Sequence, residues 1–354
     1  MLRDEPAWWY GDGRAAAAAM CLQPAAIAYG AVAVARYRFA TPYRSKLPVI
    51  CIGNFTAGGT GKTPIALHVA ERLKALGERP VILTRGYGGR AKGPLRGDLH
   101  HHTAAETGDE PLLLARAAPV LLARDRKAGA QAIEAWGDEA SVIVMDDGMQ
   151  NPSLVKDLTI AVADGRRGIG NGRVIPAGPL RAPLKFQLAL ANAIVINSAA
   201  GPARHGAPAP RVEEMVQRIF PGPVLHAQTG PAGDTRWLKG ARLVAYAGIG
   251  NPDRFFDLLS DAETLITMPF RDHQPLTPDD ARGLLAKAKA AGATLITTEK
   301  DWVRLPDSEG PRAELKQKSR VLVVRTVFDG ESEALLDKLI VNALAARPVK
   351  ASGF

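Results

Sequence analysis

The chain changes hydrophobic period several times. From about residue 47 onward, short apolar runs alternate with segments whose apolar positions recur every three or four residues. The runs "LPVICIGN", "RPVILTRG", "SVIVMDDG", "LTIAVADG" and "NAIVINS" are short and bounded by turn residues, so they predict strands. Between the first two lies "TPIALHVAERLKALG", an amphipathic helix with proline in its first turn and glycine at its end. Apolar strands spaced by helices imply an α/β fold with a mostly parallel sheet and helices on both faces. After an Ala/Gly/Pro-rich segment at 199–210, expected to be a surface loop, a second αβ run begins near residue 225. It includes "PVLHAQTG", "RLVAYAGIGNPDRFFDLL" and "AETLITMPF", and closes with "RVLVVRTVF". The expected organisation is an N-terminal segment at 1–40, a core domain at 41–224, a smaller αβ domain at 225–345 and a tail at 346–354.

Residues 15–35 break this pattern. "AAAAAMCLQPAAIAYGAVAVA" carries no charge, and Arg36, Arg38, Arg44 and Lys46 follow it. Its length would suffice for a bilayer span, but it is mostly alanine and includes Gln23, Pro24 and Gly30. A helix lying at a membrane surface fits better, with Trp8, Trp9 and Tyr10 before it and the arginines after it. An ordinary core helix is the plain alternative.

Charge and cysteine content narrow the function classes. The net charge of +9 suits nucleic acid, an anionic membrane surface or a phosphorylated substrate. The basic residues are spread along the chain and no nucleic-acid-binding motif accompanies them, so nucleic acid is not expected as a partner. No obligate protein partner is evident. Cys21 and Cys51 fit neither a metal-ligand spacing nor a disulfide framework, which points to a reducing compartment. The start "MLRDEPAWWYGDGR" is too polar to lead straight into an export segment.

The strongest chemical signal is "GNFTAGGTGKTP" at 53–64, between a predicted strand and a predicted helix. It ends as a P-loop does, in Gly61-Lys62-Thr63, but has Thr56 where the usual pattern has its first glycine. A loop running Thr56, Ala57, Gly58, Gly59, Thr60, Gly61, Lys62, Thr63 can turn backbone amides toward phosphates at a helix start. Lys62 would reach the outer phosphates of ATP, and Thr63 would hold Mg²⁺. "SVIVMDDGMQ" places Asp146 and Asp147 at a strand end, where a P-loop protein keeps its metal carboxylate. Asp109 and Glu110 open a helix in "TGDEPLLLA", and Asp272-His273 sit on a loop in "MPFRDHQPLTPDD". Each of these last two pairs has a bland reading, a helix-end charge and a structural histidine.

Taken together, "GNFTAGGTGKTP", "TRGYGG", "TGDEPLLLA", "DDGMQ", "GNGRVIPAGPLRAP", "AGIGNPDRFF", "FRDHQP" and "TTEKDWVRL" are highly specific. Through them the sequence resembles the tetraacyldisaccharide 4'-kinase (LpxK) family, from about residue 8 to residue 345. The resemblance accounts for Thr56, since that family's loop lacks the first glycine. It implies a P-loop kinase domain plus a smaller αβ domain with the active site between them, and an N-terminal helix docked on the cytoplasmic face of the bacterial inner membrane. The implied cofactors are ATP and Mg²⁺. The implied partners are a lipid A disaccharide precursor and the membrane surface. Lys62 and Thr63 match nucleotide and metal positions, and Asp146 and Asp147 match the acidic pair near the metal. Asp109 matches the catalytic carboxylate and His273 its paired histidine. Arg126 and Gln150 match positions near the nucleotide.

The sequence also departs from the family pattern. Met149, Asn151, Arg271 and Gln274 differ from the usual residues, and Ala182 stands where a glutamate near the metal is expected. Either Asp146 and Asp147 suffice, or another carboxylate such as Asp164 substitutes. The implied reaction is transfer of the ATP γ-phosphoryl group to a sugar 4'-hydroxyl. The main alternative is a membrane-associated regulatory or assembly P-loop ATPase, which gives no reason for "GDEP" and "RDH".

Overall fold

The structure is a computed structural model that describes residues 6–11, 16–97, 101–199 and 212–346. The expected loop at 199–210 and tail at 346–354 lie almost wholly outside the described residues.

The predicted apolar runs form the middle of a nine-stranded sheet. Its strands are β1 (Val49–Asn54), β2 (Pro80–Thr84), β3 (Leu95–Gly97), β4 (Val120–Leu122), β5 (Val142–Asp146), β6 (Leu158–Asp164), β7 (Ala193–Ala199) and β8 (Val224–Pro231). A late strand completes it. The smaller sheet contains β9 (Arg242–Ala247), β10 (Thr264–Pro269), β11 (Thr294–Thr298) and β12 (Ser319–Leu322), and β13 (Val324–Phe328) returns to the larger one. The large-sheet order is β13-β8-β7-β6-β1-β5-β2-β4-β3. Pairing is parallel except at the two edges, where β3 and β13 run antiparallel to their neighbours. Strands β1, β5 and β6 are buried along their whole length, because helices cover both faces.

One face is covered by the helices Lys62–Ala75 and Gly330–Ala345, whose Ile65, Val69, Leu73, Leu336 and Ile340 pack on Ile50, Ile52 and Val144. The other face carries Arg126–Glu134 and Val212–Ile219, with Ile133 and Val216 against Cys51, Ile143 and Ile194. Strand β1 lies between β5 and β6, so the chain moves outward on both sides of it. In such sheets ligands bind beyond the strand C-termini at that switch point. The P-loop follows β1 there, and Asp146 ends β5 beside it.

The expected division at 224/225 is corrected by the strand pairing. β8 pairs with β7 in parallel and with β13 antiparallel, so both belong to the large sheet. The run "RVLVVRTVF" holds two strands, one in each sheet. The small sheet is thus inserted between β8 and β13, and the last helix closes the large-sheet core. Periodicity hid this, because apolar strands look alike whichever sheet they join. The small sheet, in the order β10-β9-β11-β12, is parallel throughout. It has its own core on each face, built around Leu243, Phe255 and Ile296 on one side and Val244, Tyr246 and Leu284 on the other.

The N-terminal stretch forms the helices Ala16–Cys21 and Gln23–Arg38. No helix among the described residues is long and apolar enough to cross a membrane. The second helix docks through Ala26 and Gly30. A β-carbon on Gly30 would sit 3.2 Å from Pro183 Cγ, so a small residue allows this approach. Away from that contact, Met20, Ile27, Val32 and Phe39 are exposed. The aromatic residues ahead of the helices differ from expectation. Trp9 is buried and its indole nitrogen donates to Pro176 O at 3.2 Å, so it packs on the fold instead of standing out as a surface anchor.

Candidate active site

The P-loop is shaped by glycine and propped from below. Gly61 has φ +79°, and a β-carbon there would lie 2.4 Å from Asn197 Nδ2. Only glycine meets both constraints at low cost. Asn197, buried on β7, donates to Thr60 O at 3.2 Å and accepts from Thr229 Oγ1 at 2.9 Å. From the small-sheet unit, the turn at Gly250 and Asn251 lies across Gly59, and Arg254 reaches Thr60 O at 3.4 Å.

A cavity of about 750 Å³ opens over this loop, lined by residues from Ala57 to Pro64. Arg126, Asp146, Asp147, Gln150 and His273 also reach it. Thr56 does not. It is buried, forms a bridge to Leu180, and its carbonyl accepts from Asn54 Nδ2 at 2.7 Å and Arg181 Nε at 3.1 Å. Thr56 is therefore a structural residue under the cradle, a correction to the expected nucleotide contact.

The two adjacent aspartates have different surroundings. Asp147 adopts φ +51° and is held by Arg181 at 2.6 Å and Lys62 at 3.2 Å. Burial pushes its carboxyl up, but Arg181 and Lys62 outweigh this and hold it below the usual carboxylate range. Asp146 is buried and its Oδ1 has no hydrogen-bond partner. Burial, with Glu110 nearby, pushes its carboxyl up to about 7. A buried carboxylate oxygen without a partner is a costly arrangement that a cation relieves.

That observation tests the fit of Mg²⁺. No cluster of three or more His, Cys, Asp or Glu suited to a metal occurs among the described residues. Mg²⁺ needs no such cluster, since one or two protein oxygens plus phosphate oxygens and water complete its shell. Asp146 and Thr63 meet that need. Asp147 is already committed to two cations, so the expected metal pair divides into one candidate ligand and one residue that orients Lys62.

Arg126 is buried behind Asp146. It donates to Ala123 O and to Asp146 O, and its Nε has no partner. Gln150 donates to Asn54 O at 2.8 Å and Gln187 Oε1 at 2.6 Å, which fixes its amide beneath the loop. Asp164 is not the sought substitute for the glutamate missing at Ala182. Its Oδ2 accepts from Arg254 at 3.2 Å, and its Oδ1 accepts from the backbone of Arg166 and Arg167. Ala182 itself is fully buried.

Asp109 and His273 approach each other across the two units, with His273 Nδ1 at 3.5 Å from Asp109 Oδ2. Asp109 is 2% exposed and lies just behind the cavity wall, while Glu110 and His273 are on it. His273, at φ +56°, and Asp147 are the two non-glycine residues with positive φ among those described. Such strained backbone is often kept at functional positions.

Two ion pairs run between the helices Asp109–Leu114 and Glu299–Arg304, Asp109 with Arg304 and Glu110 with Lys300 at 2.6 Å, and Arg116, just after the first helix, pairs with Glu299. Nothing in the sequence alone marks a role for Lys300, Arg304 or Arg181, although all three lie in the motifs "TTEKDWVRL" and "GPLRAP", the one signal available there. Burial pushes the Asp109 carboxyl up, yet the Arg304 and Lys300 cations beside it prevail and hold it well below the ordinary range.

A family model described as tetraacyldisaccharide-1-P 4'-kinase matches residues 18–342. The chain is 46% identical over 309 residues to a Rhodopseudomonas palustris (strain BisA53) protein named tetraacyldisaccharide 4'-kinase, covering 86% of each chain. It is 43% identical over 350 residues to a protein of that name from Rhodospirillum centenum, covering 97% of each. A Methylobacterium radiotolerans protein of that name is 47% identical over 333 residues, covering 93% of this chain and 96% of the relative. In fold, the chain is similar to a crystal structure of LpxK from Aquifex aeolicus in complex with ATP. That similarity has a TM-score of 0.68 at 24% identity, over 92% of this chain and 99% of the other. On sequence, site and fold together, the chain belongs to the tetraacyldisaccharide 4'-kinase family.

Proposed function

We propose that this protein transfers the γ-phosphoryl group of ATP to the 4'-hydroxyl of a tetraacylated glucosamine disaccharide 1-phosphate. It does so while resting on the cytoplasmic face of the bacterial inner membrane. One observation carries the lipid side of this reading. Tyr29, Ala33 and Arg36 of the helix Gln23–Arg38 line the same cavity as the P-loop. An acceptor whose acyl chains stay in the membrane can reach the phosphates only if the apolar helix and the cradle share one opening.

The residues divide the work. The loop from Ala57 to Thr63 wraps the phosphates with backbone amides. Lys62, oriented by Asp147, neutralises charge on the transferring group. Asp146 and Thr63 would hold Mg²⁺, which when bound offsets charge on the phosphate oxygens. Arg126, on the cavity wall, adds positive charge to the nucleotide side. Asp109 accepts the proton of the acceptor hydroxyl as the new O–P bond forms and the bond to the ADP oxygen breaks. His273 lies beside it on the cavity wall. Phosphoryl transfer asks mainly for position and charge stabilisation, which a buried, fixed carboxylate supplies.

The test is transfer of label from [γ-³²P]ATP to purified lipid disaccharide acceptor, against Lys62→Ala. Labelled lipid from the wild type, with a loss of about 100-fold or more in the variant, is the expected result. ATP hydrolysis with no labelled lipid would replace the kinase with a regulatory ATPase.

A further inference from the structure

The contact between Asp109 and His273 contains a third residue. Arg304 donates through Nη2 to Asp109 Oδ2, and the same nitrogen stands 3.1 Å from His273 Nδ1. Its other terminal nitrogen is anchored within the small-sheet unit, to Gly248 O at 2.7 Å and Asp301 Oδ1 at 2.9 Å. Gly248 O also accepts from the backbone nitrogen of His273 at 3.2 Å. Arg304 and His273 are thus fastened to one carbonyl and share a unit. Asp109 belongs to the other unit, with its Oδ1 taken by Glu110 N at 2.9 Å.

The donor rules decide the imidazole tautomer. A guanidinium only donates. Nδ1 cannot accept from Arg304 while giving a proton to Asp109. Its 3.1 Å approach to Arg304 is shorter than its 3.5 Å approach to Asp109. Nδ1 therefore accepts, and a neutral His273 carries its proton on Nε2, on the side of Asp272 at 3.7 Å.

Resting on the kinase reading, we propose that Arg304 is a positioning residue of the transfer site: through one guanidinium nitrogen it ties Asp109 to Nδ1 of His273 across the cleft, fixing the carboxylate in place and the imidazole proton on Nε2. The other charged or titratable groups near this trio are Lys300 and Asp301 on the helix of Arg304, Glu110 beside Asp109, and Asp272 and Tyr87 beside His273. Lys300 is itself paired with Glu110, and Asp301 with Arg304. Arg304 is therefore the cation in direct contact with both members of the pair. Because its anchor is in the small-sheet unit, separating the units strips Asp109 of Arg304 and His273 together. Proton affinity at Asp109 is in this way linked to closure of the cleft.

Two measurements test this on the full-length protein. The first is the pH profile of kcat/KM with ATP and lipid disaccharide for wild type, Arg304→Gln and Arg304→Lys, each checked by thermal melt. Loss of Arg304 should move the acid limb upward by about one pH unit or more, so that Arg304→Gln loses progressively more activity relative to wild type as pH falls from about 6 toward 4. Arg304→Lys should restore most of the limb. A folded Arg304→Gln protein with the wild-type limb overturns the proposal. A residue that merely supports the fold would lower activity equally at all pH values, which also overturns it. The second is ¹⁵N–¹H correlation of the histidine rings, with His273 assigned through His273→Gln. It needs neither transfer nor a folded Arg304 variant. An unprotonated Nδ1 in the wild type is expected, and a protonated Nδ1 overturns the proposal. If the wild type labels no lipid, the kinase reading fails, while the ring tautomer still reports on Arg304.

Discussion

The buried guanidinium of Arg126 donates to the main-chain carbonyl of Asp146, at 3.4 Å, and not to its carboxylate. Arg126 Nε and Asp146 Oδ1 are both left without hydrogen-bond partners. One wants an acceptor and the other a cation, and both residues border the cavity above the phosphate cradle. A nucleotide with its metal carries both charges. The site therefore holds two complementary penalties that its ligand removes together.

Asp146→Asn should consequently separate stability from activity. It removes a buried carboxylate whose Oδ1 has no hydrogen-bond partner in the free protein, so the ligand-free variant is expected to be more stable by about 1–2 kcal/mol. Transfer should fall about 100-fold or more, with a weakened Mg²⁺ dependence. Urea melts and initial rates across a Mg²⁺ series measure the two effects. A variant that is both less stable and fully active contradicts this account of Asp146.

Ala182→Glu does not simply restore a family residue in this chain. Ala182 is fully buried, and its carbonyl accepts from Gln187 Nε2 at 2.7 Å. A glutamate there must be accommodated beside Arg181, whose guanidinium already serves Asp147. The expected result is a loss of about 2 kcal/mol or more, seen as a lowered melting temperature. An unchanged melting temperature with a tighter Mg²⁺ requirement would show that the pocket can accept the missing carboxylate.

Acid should weaken the contact between the units through Asp109. Its folded carboxyl is held below the ordinary value of 3.8. The stability it contributes is therefore fully present above that value and is lost as pH falls below about 4. Asp109→Asn should cost about 2 kcal/mol at neutral pH and much less near pH 3. Urea midpoints of both proteins from pH 7 to pH 3 give the difference directly. A constant difference across that range would mean Asp109 contributes no such pH dependence.

The N-terminal helix gives a separate test. Ile27, Val32 and Phe39 are 64%, 59% and 82% exposed, whereas Val34 is half-buried. Serine at the first three positions should reduce binding to anionic liposomes and raise KM for the lipid acceptor, with KM for ATP nearly unchanged. Flotation with vesicles and the labelled-ATP assay provide the readouts. Full vesicle binding by a folded triple variant would remove the helix from the membrane contact.

The strands around the P-loop were legible because each is a short apolar run ending in chemistry, such as "VICIGN" before the cradle and "VIVMDD" before Asp146. What stayed hidden depends on which distant segments meet. Strands β12 and β13 are separated by Val323 alone, inside the apolar stretch "VLVV", so the change of sheet leaves no mark in the pattern. Arg304 sits in a helix with several other charges, and only the fold brings it against Asp109, 195 positions earlier. Thr56 is the opposite case. Its place in the motif suggested a phosphate contact, but the bridge to Leu180 turns it into the core.

The two places where the chain passes between the sheets lie side by side. Ala232 N donates to Val323 O at 2.8 Å, just after β8 and just before β13. The small sheet therefore begins and ends at one doorway, and the large sheet receives its last strand and helix only after the detour. Replacing the whole detour with a short turn leaves every pairing of the nine-stranded sheet available. Cutting the chain near residue 225 instead deprives that sheet of two strands and of its covering helix. The shortest piece able to hold the phosphate cradle as a folded body is thus discontinuous in sequence, made of the chain's beginning and its end.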